Sequence, residues 1–380
     1  MKHSTAPVRL AIVGCGNVLG AYLDLTRRLQ HQGVAEVVAL CGREKQRAAA
    51  IQSVPAAAFH TDYAALLARP EVDVVVVLTP MLEHAPMAQA ALRAGKHVLV
   101  EKPMATNLTE ARALIDLSRE CGKHLFCAPF TILSPTFQII ARRLRNGDIG
   151  RVASARGRYG WAGPDWTEWF YKSGGGALFD LGVYNLTTLT GWLGPVRRVT
   201  AMTGVAIPER TVQGRSVRVE VDDNAHVLLD FGNACFAVLT TGFTLQQYRG
   251  PGLELYGTEG TLNLLGDDWD PDGYELWQNS AGCWQLFKET HPEWPWVDGL
   301  SHLVQCLLTE IRPLVTPEHA YHVLEVMSLA QAAGHDGLAR MVESTFTLPA
   351  FEASDKAEPA HRVHDRTRAE ICDPGSDLKF

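Results

Sequence analysis

The chain has 380 residues, 46% hydrophobic and 20% charged, an ordinary globular composition that excludes disorder, collagen and membrane bundles and, at this length, favours two cores over one. Lys and Arg total 35 against 42 Asp and Glu, a formal charge of -7, and no basic run marks a nucleic-acid arm. Residues 1–7 are polar with no signal-peptide layout, and apolar runs such as residues 74–78 have strand length; a cytoplasmic chain without a membrane span is expected.

From residue 8 to about 130, short β-branched runs alternate with helical segments. Strands are predicted at 9–13, 35–41, 72–78, 97–100 and 123–127, and helices at 21–32, 44–50, 61–68, 84–94 and 108–120. Asn107 is placed to cap the last helix, with Glu110 in its first turn, where the peptide dipoles favour negative charge. The pattern is α/β, a doubly wound parallel sheet of Rossmann type over residues 1–130.

A helix at 135–145 ends at Asn146-Gly147, and the texture then changes to strands at 152–159, 196–203, 217–231, 235–243, 253–256, 261–264 and 274–278. Tight turns such as Phe231-Gly232-Asn233 indicate a large open, mostly antiparallel sheet in an α+β domain over residues 131–350, with helices returning at 297–311 and 317–333. The polar tail, 351–380, lacks periodicity and is expected to be poorly ordered or to lie along a partner subunit.

The eight cysteines contain no CxxC pair and no metal-knuckle spacing, so reduced thiols are expected. The stretch Asp268-Trp269-Asp270-Pro271-Asp272-Gly273 imitates the start of a calcium loop, but Asn279 stands where the bidentate Glu belongs, and it reads as a solvated turn. No metal site is expected.

The first strand runs into Gly14-Cys15-Gly16-Asn17-Val18-Leu19-Gly20 and then a helix, the context in which glycines allow a tight turn and close approach of a pyrophosphate to helix N-terminal amides. Gly14, Gly16, Asn17 and Val18 are therefore candidate cofactor contacts. The second strand ends Cys41-Gly42-Arg43, with no acid to hold a ribose 2'-hydroxyl. Gly42 leaves room, and Arg43 can pair with a 2'-phosphate, which favours NADP over NAD; Glu44 beside it weakens the positive field. Thr79-Pro80 ends the third predicted strand at the same edge, while His84 reads equally as a surface cap or a cofactor contact.

The ordered segments Thr79-Pro80-Met81-Leu82-Glu83-His84, Glu101-Lys102-Pro103 and Gly174-Gly175-Gly176-Ala177-Leu178-Phe179-Asp180-Leu181-Gly182-Val183-Tyr184 closely resemble those of the Gfo/Idh/MocA oxidoreductases. The resemblance implies an N-terminal Rossmann domain, a C-terminal domain whose open sheet often forms oligomer interfaces, and hence a homodimer or homotetramer. It implies Glu101 and Lys102 at the cofactor, with Lys102 between nicotinamide and substrate, and Asp180 and Tyr184 as catalytic residues. Tyr184 stands where many members carry His, which strengthens the NADP reading, and Ile132-Leu133-Ser134-Pro135 replaces an arginine-bearing stretch.

Hydride transfer from a secondary alcohol leaves a proton to be accepted. Tyr184 is a candidate if a neighbouring Lys102 ammonium lowers its pKa, and Lys102 would also stabilise the developing oxyanion. Asp180, four residues before Tyr184, would orient Lys102 or a substrate hydroxyl. Trp161 and Trp166, in an aromatic loop with Asp165 and Glu168, are candidate sugar-stacking residues, the alternative being a lid or a subunit contact. The expected activity is hydride transfer between NADP(H) or NAD(H) and a secondary hydroxyl or ketone of a sugar, polyol or glycoside. The alternatives are a redox-neutral enzyme that cleaves or epimerises glycosides and a non-catalytic cofactor or metabolite sensor.

Overall fold

The computed structural model describes residues 6–289, 291–309, 311–349, 351 and 361–363. Six strands, β1 (Val8–Val13), β2 (Ala35–Cys41), β3 (Ala58–His60), β4 (Val74–Val77), β5 (His97–Val100) and β6 (Leu125–Cys127), form a parallel sheet in the order β3-β2-β1-β4-β5-β6. The strand order reverses between β1 and β4, which opens a crevice at their carboxyl ends. All four valines of β4 are buried, as expected of a strand covered on both faces.

The helices of this layer are α1 (Leu19–His31), α2 (Arg47–Ser53), α3 (Tyr63–Leu67), α4 (Met81–Arg93) and α5 (Leu108–Glu120). The α1 helix buries Leu19, Tyr22, Leu23, Leu25 and Leu29 along one stripe. Asn107 caps α5 through its side chain, accepting from Glu110 N. The α4 helix starts at Met81 rather than His84: Pro80 leads into a first turn that carries no side-chain cap, so the sequence places the start late.

The second layer contains α6 (Pro135–Arg145), α7 (Val183–Leu193), α8 (Gly299–Thr309) and α9 (Pro317–Asp336). Its strands are β7 (Val152–Gly160), β8 (Arg198–Gly204), β9 (Glu209–Val212), β10 (Arg215–Arg218), β11 (Asn224–Gly232), β12 (Cys235–Gly242), β13 (Leu253–Gly257), β14 (Gly260–Asp267), β15 (Asp270–Gln278), β16 (Cys283–Lys288), β17 (Arg340–Met341) and β18 (His361–Val363). Ten of them form one sheet, β17-β8-β11-β12-β7-β13-β14-β15-β16-β18, in which β7 and β12 are the parallel pair among the described residues. Alternating burial along β11 puts Ala225, Val227, Leu229 and Phe231 on the helix-covered face.

Several boundaries differ from expectation. The run predicted at 217–231 is interrupted: β9 and β10 form a separate hairpin, and β11 starts at Asn224. The break falls at Asp223, whose buried carboxylate accepts from Ala206 N, Ile207 N and Arg210 Nη2, bonds that a continuous strand would not form. In the tail, Phe351 packs edge-on to Phe137 and β18 pairs with β16, so an unordered reading fails at these positions; the remainder of the tail lies outside the described residues. The helices α8 and α9 also return to the first layer, α8 against β1 and β5 and α9 against α5 and β6. The N-terminal sheet is thus completed by residues far along the chain.

Candidate active site

At the crevice between β1 and β4, Gly14 has φ +100°, and a Cβ there would lie 2.5 Å from the Leu78 carbonyl oxygen, so this turn requires glycine. Gly16 faces open space, Asn17 is exposed, and Val18 caps α1 without a side-chain hydrogen bond. No acid occupies the first turn of α1, which leaves its N-terminal amides available to an anion. On the facing strand end, Thr79 Oγ1 is buried with no partner. The glycine cradle, the open amides and the orphaned hydroxyl fit a dinucleotide.

At the end of β2, the Gln46 side chain donates to Cys15 O and accepts from Arg43 N at 2.9 Å, pinning the Gly42-Arg43 turn to the glycine loop. Glu44, expected to dampen the positive field, is engaged in a two-pronged pair with Arg47 at 2.7 and 2.8 Å, and that pairing lowers its carboxyl pKa. Arg43 is exposed and makes no ion pair among the described residues.

Lys102 follows β5 at the same edge. Glu101 before it is buried: Oε1 accepts from the Tyr22 hydroxyl at 2.8 Å, and Oε2 accepts from Lys102 N at 3.1 Å. This carboxylate therefore braces α1 against the Lys102 backbone. His84, read from sequence as a cap or a cofactor contact, is neither a surface cap nor free: it is buried, with Nδ1 2.7 Å from Pro103 O and Nε2 2.8 Å from Thr79 O. It ties the two strand-end loops together, and burial pushes its pKa down despite both bonds.

The triple-glycine segment brings the second layer to this edge. Residues Leu178–Gly182 form a single π-helical turn leading into α7, a local widening often found at functional sites. From this turn Asp180 accepts from Lys102 Nζ at 2.6 Å through Oδ1 and at 2.6 Å through its backbone oxygen. Both side chains are nearly buried, 12% and 11% exposed, so the pair is shielded from water. The Lys102 ammonium lies 5.0 Å over the Tyr184 ring centroid. Lys102, Asp180 and Tyr184 converge.

The expected lowering of the Tyr184 pKa does not hold. Lys102 faces the ring rather than the hydroxyl, and burial first, then Glu101, Asp180 and Asp268, hold the phenol well above its ordinary pKa. The Tyr184 hydroxyl makes no hydrogen bond among the described residues.

Trp161 and Trp166 stack on each other at 5.5 Å and 13°, with Trp161 edge-on to Phe243 and Trp166 edge-on to Phe170, and Trp161 borders a satellite apolar cluster that Tyr159 also packs against. The rings beside Tyr184 are Tyr159, 5.7 Å away and edge-on, and Trp269, at 6.5 Å. Sequence reasoning missed this role because Trp269 occupies a motif that reads as a solvated turn. That reading is corrected: Asp268 and Trp269 form the tip of the β14–β15 hairpin, yet Asp268 is 2% exposed. Its Oδ2 accepts from Asn185 Nδ2 at 3.1 Å and from the Thr188 hydroxyl at 2.8 Å on α7, and burial raises its pKa to about 6. Among the described residues no group of three or more His, Cys, Asp or Glu is arranged to hold a metal, and no helix is long and apolar enough to cross a membrane.

These features define a dinucleotide-binding oxidoreductase. Residues 8–128 match the oxidoreductase family with NAD-binding Rossmann fold, and residues 137–263 match the GFO/IDH/MocA C-terminal domain. The chain belongs to the Gfo/Idh/MocA family. It is 31% identical to a dTDP-3,4-didehydro-2,6-dideoxy-alpha-D-glucose 3-reductase from Streptomyces violaceoruber, over 68% of this chain and 72% of the relative. It is 30% identical to a trans-1,2-dihydrobenzene-1,2-diol dehydrogenase from Macaca fuscata fuscata, over 70% of this chain and 76% of the relative. An NAD binding oxidoreductase from Klebsiella pneumoniae shares the fold with TM-score 0.80 at 23% identity, over 89% of this chain and all of that one.

Proposed function

We propose that the enzyme transfers hydride between NADP(H), with NAD(H) the less favoured cofactor, and a secondary hydroxyl or ketone of a sugar, polyol or glycoside. The carrying observation is the placement of the Lys102 ammonium, fixed by Asp180 and lying over Tyr184 beside the crevice where the glycine loop and Thr79 meet. When bound, the nicotinamide supplies or takes the hydride. Gly14, Gly16, Asn17, Val18, Thr79 and Pro80 would hold the dinucleotide, and Gly42 with the unpaired Arg43 would receive a 2'-phosphate.

Lys102 donates a hydrogen bond to the reacting oxygen and stabilises negative charge there. Asp180 fixes the direction of that donor. Tyr184, keeping its phenol proton, supplies it to the oxygen as a carbonyl is reduced. In this direction the carbon gains hydride, the oxygen takes the phenol proton, and the phenolate is reprotonated from solvent. Burial keeps the phenol protonated, the form that a proton donor to a carbonyl oxygen requires. The apolar outer face formed by Met202, Leu228, Phe236 and Val238 supports a homo-oligomer. The reading is tested by following reduced-nicotinamide absorbance with NADPH and NADH against a panel of keto sugars, and with NADP and NAD against aldoses, polyols and glycosides. Net change with NADP(H) is expected. Product formed without net change would indicate redox-neutral chemistry, and cofactor binding without turnover across the panel would count against the substrate class.

A further inference from the structure

The Gln46 side chain spans the two loops of the nucleotide edge. Its Nε2 donates to Cys15 O in the glycine loop, and its Oε1 accepts from Arg43 N at 2.9 Å. One orientation of the amide satisfies both partners, because a carbonyl oxygen only accepts and a backbone N–H only donates. The two loops depend on it unequally. The glycine loop has anchors of its own, Gly14 N on Cys41 O at 2.9 Å and Leu19 N on Gly16 O at 3.3 Å. Arg43 N, by contrast, has Gln46 Oε1 as its acceptor, and Gln46 N closes the same turn on Arg43 O at 2.8 Å.

The same amide crowds position 42, where an acid would follow β2 to hold a ribose 2'-hydroxyl. A Cβ at Gly42 would lie 3.0 Å from Gln46 Oε1 and 3.1 Å from Cys15 Sγ, closer than ordinary van der Waals contact. Gly42 is not among the glycines of positive φ, so its neighbours, and not its backbone conformation, disfavour a side chain there. A carboxylate at this position would also turn its oxygens toward the Oε1 acceptor, with no proton between them. Beyond the turn, Arg47 holds Glu44, and Arg43 stays exposed. Gln46 therefore bears on both positions that distinguish a 2'-hydroxyl from a 2'-phosphate.

We propose that Gln46 is a positioning residue for cofactor choice: it holds the Arg43 turn in place for a 2'-phosphate and keeps position 42 closed to an acid that would take the 2'-hydroxyl of NAD. The inference rests on the NADP reading above. Fixing the Arg43 backbone beforehand leaves less ordering to be lost when the guanidinium engages a phosphate. NAD carries no 2'-phosphate, so its affinity depends on the glycine loop, which keeps its own anchors without Gln46.

The test is calorimetric titration of NADP and NAD into the intact chain as wild type, Gln46→Ala, Gln46→Met, Gly42→Asp and the double variant Gly42→Asp/Gln46→Ala. Gln46→Ala is expected to lower NADP affinity about tenfold and NAD affinity about twofold or less, the retained NAD binding reporting an intact fold. Gln46→Met, which keeps the bulk and drops both hydrogen bonds, is expected to lose NADP affinity to the same extent. Gly42→Asp is expected to change NAD affinity about twofold or less in the wild-type background and to raise it about tenfold in Gln46→Ala, where the acid has room. An equal loss of both cofactors in Gln46→Ala, a Gln46→Met that binds as wild type does, or a Gly42→Asp effect that is the same with and without Gln46 overturns the proposal. A wild type that prefers NAD removes the NADP reading and this inference together; a wild type that prefers NADP, with a Gln46→Ala that keeps the preference, removes this inference alone.

Discussion

Two aromatic clusters of the second layer differ in what their polar atoms do. Phe170 and Phe243 interlock with Val212, Val217 and Val219 as an apolar satellite bordered by Trp161 and Tyr159, and its buried phenol, Tyr171, is satisfied by Pro164 O at 2.7 Å. Tyr159, Tyr184 and Trp269 have comparable ring spacing but carry unpaired hydroxyls and an unpaired indole N–H beside a buried ion pair. Aromatic density alone does not distinguish packing from a site. Unmet hydrogen-bonding capacity next to a chemically competent group does.

The comparison is sharpened most strongly at Tyr184. Tyr184→Phe keeps the ring under Lys102 and removes the proton, so kcat is expected to fall about a hundredfold or more with cofactor affinity unchanged, checked by steady-state kinetics and NADPH fluorescence titration. Next comes Asp268. Its carboxyl pKa is raised from 3.8 to about 6, so the folded state holds this proton more tightly than the unfolded chain does. That contribution is full below the unfolded value and lost as pH rises through the folded one, a change of about 3 kcal/mol. Thermal unfolding should therefore show wild type losing stability between pH 4 and pH 6 relative to Asp268→Asn; parallel curves would contradict it. At the nucleotide edge, Arg43→Ala is expected to cost about tenfold in NADP affinity and leave NAD unaffected, measured by calorimetry. The smallest effect is expected at Trp166, 42% exposed. Trp166→Ala should leave KM unchanged and shift stability by about 1 kcal/mol or less; a raised KM would return this cluster to the substrate site.

The two halves of the site were unequally legible. The nucleotide edge is local in sequence: a strand, its glycine loop and the next helix are adjacent, so Gly14 and Gly16 announced themselves, and β2, β5 and α5 begin and end where periodicity and the Asn107 cap put them. The meeting of Lys102 with Asp180 and Tyr184 came from family resemblance, because no spacing rule joins residues 78 apart. The π turn that aims Asp180 has no sequence signature that helical periodicity detects. His84 and Asp268 were misjudged for one reason: each lies in a segment whose residue types favour solvent, and tertiary packing buries it, drawing the neighbouring Trp269 into partial burial. Glu44 likewise read as a competitor of Arg43 until the fold showed Arg47 holding it.

The central claim is that the Lys102 ammonium, held by Asp180, is the group on which hydride transfer depends. The most direct test measures Lys102→Ala and wild type side by side for NADPH binding by fluorescence and for turnover by nicotinamide absorbance. The account predicts unchanged cofactor affinity with turnover reduced about a thousandfold or below detection. Full turnover in Lys102→Ala would contradict it.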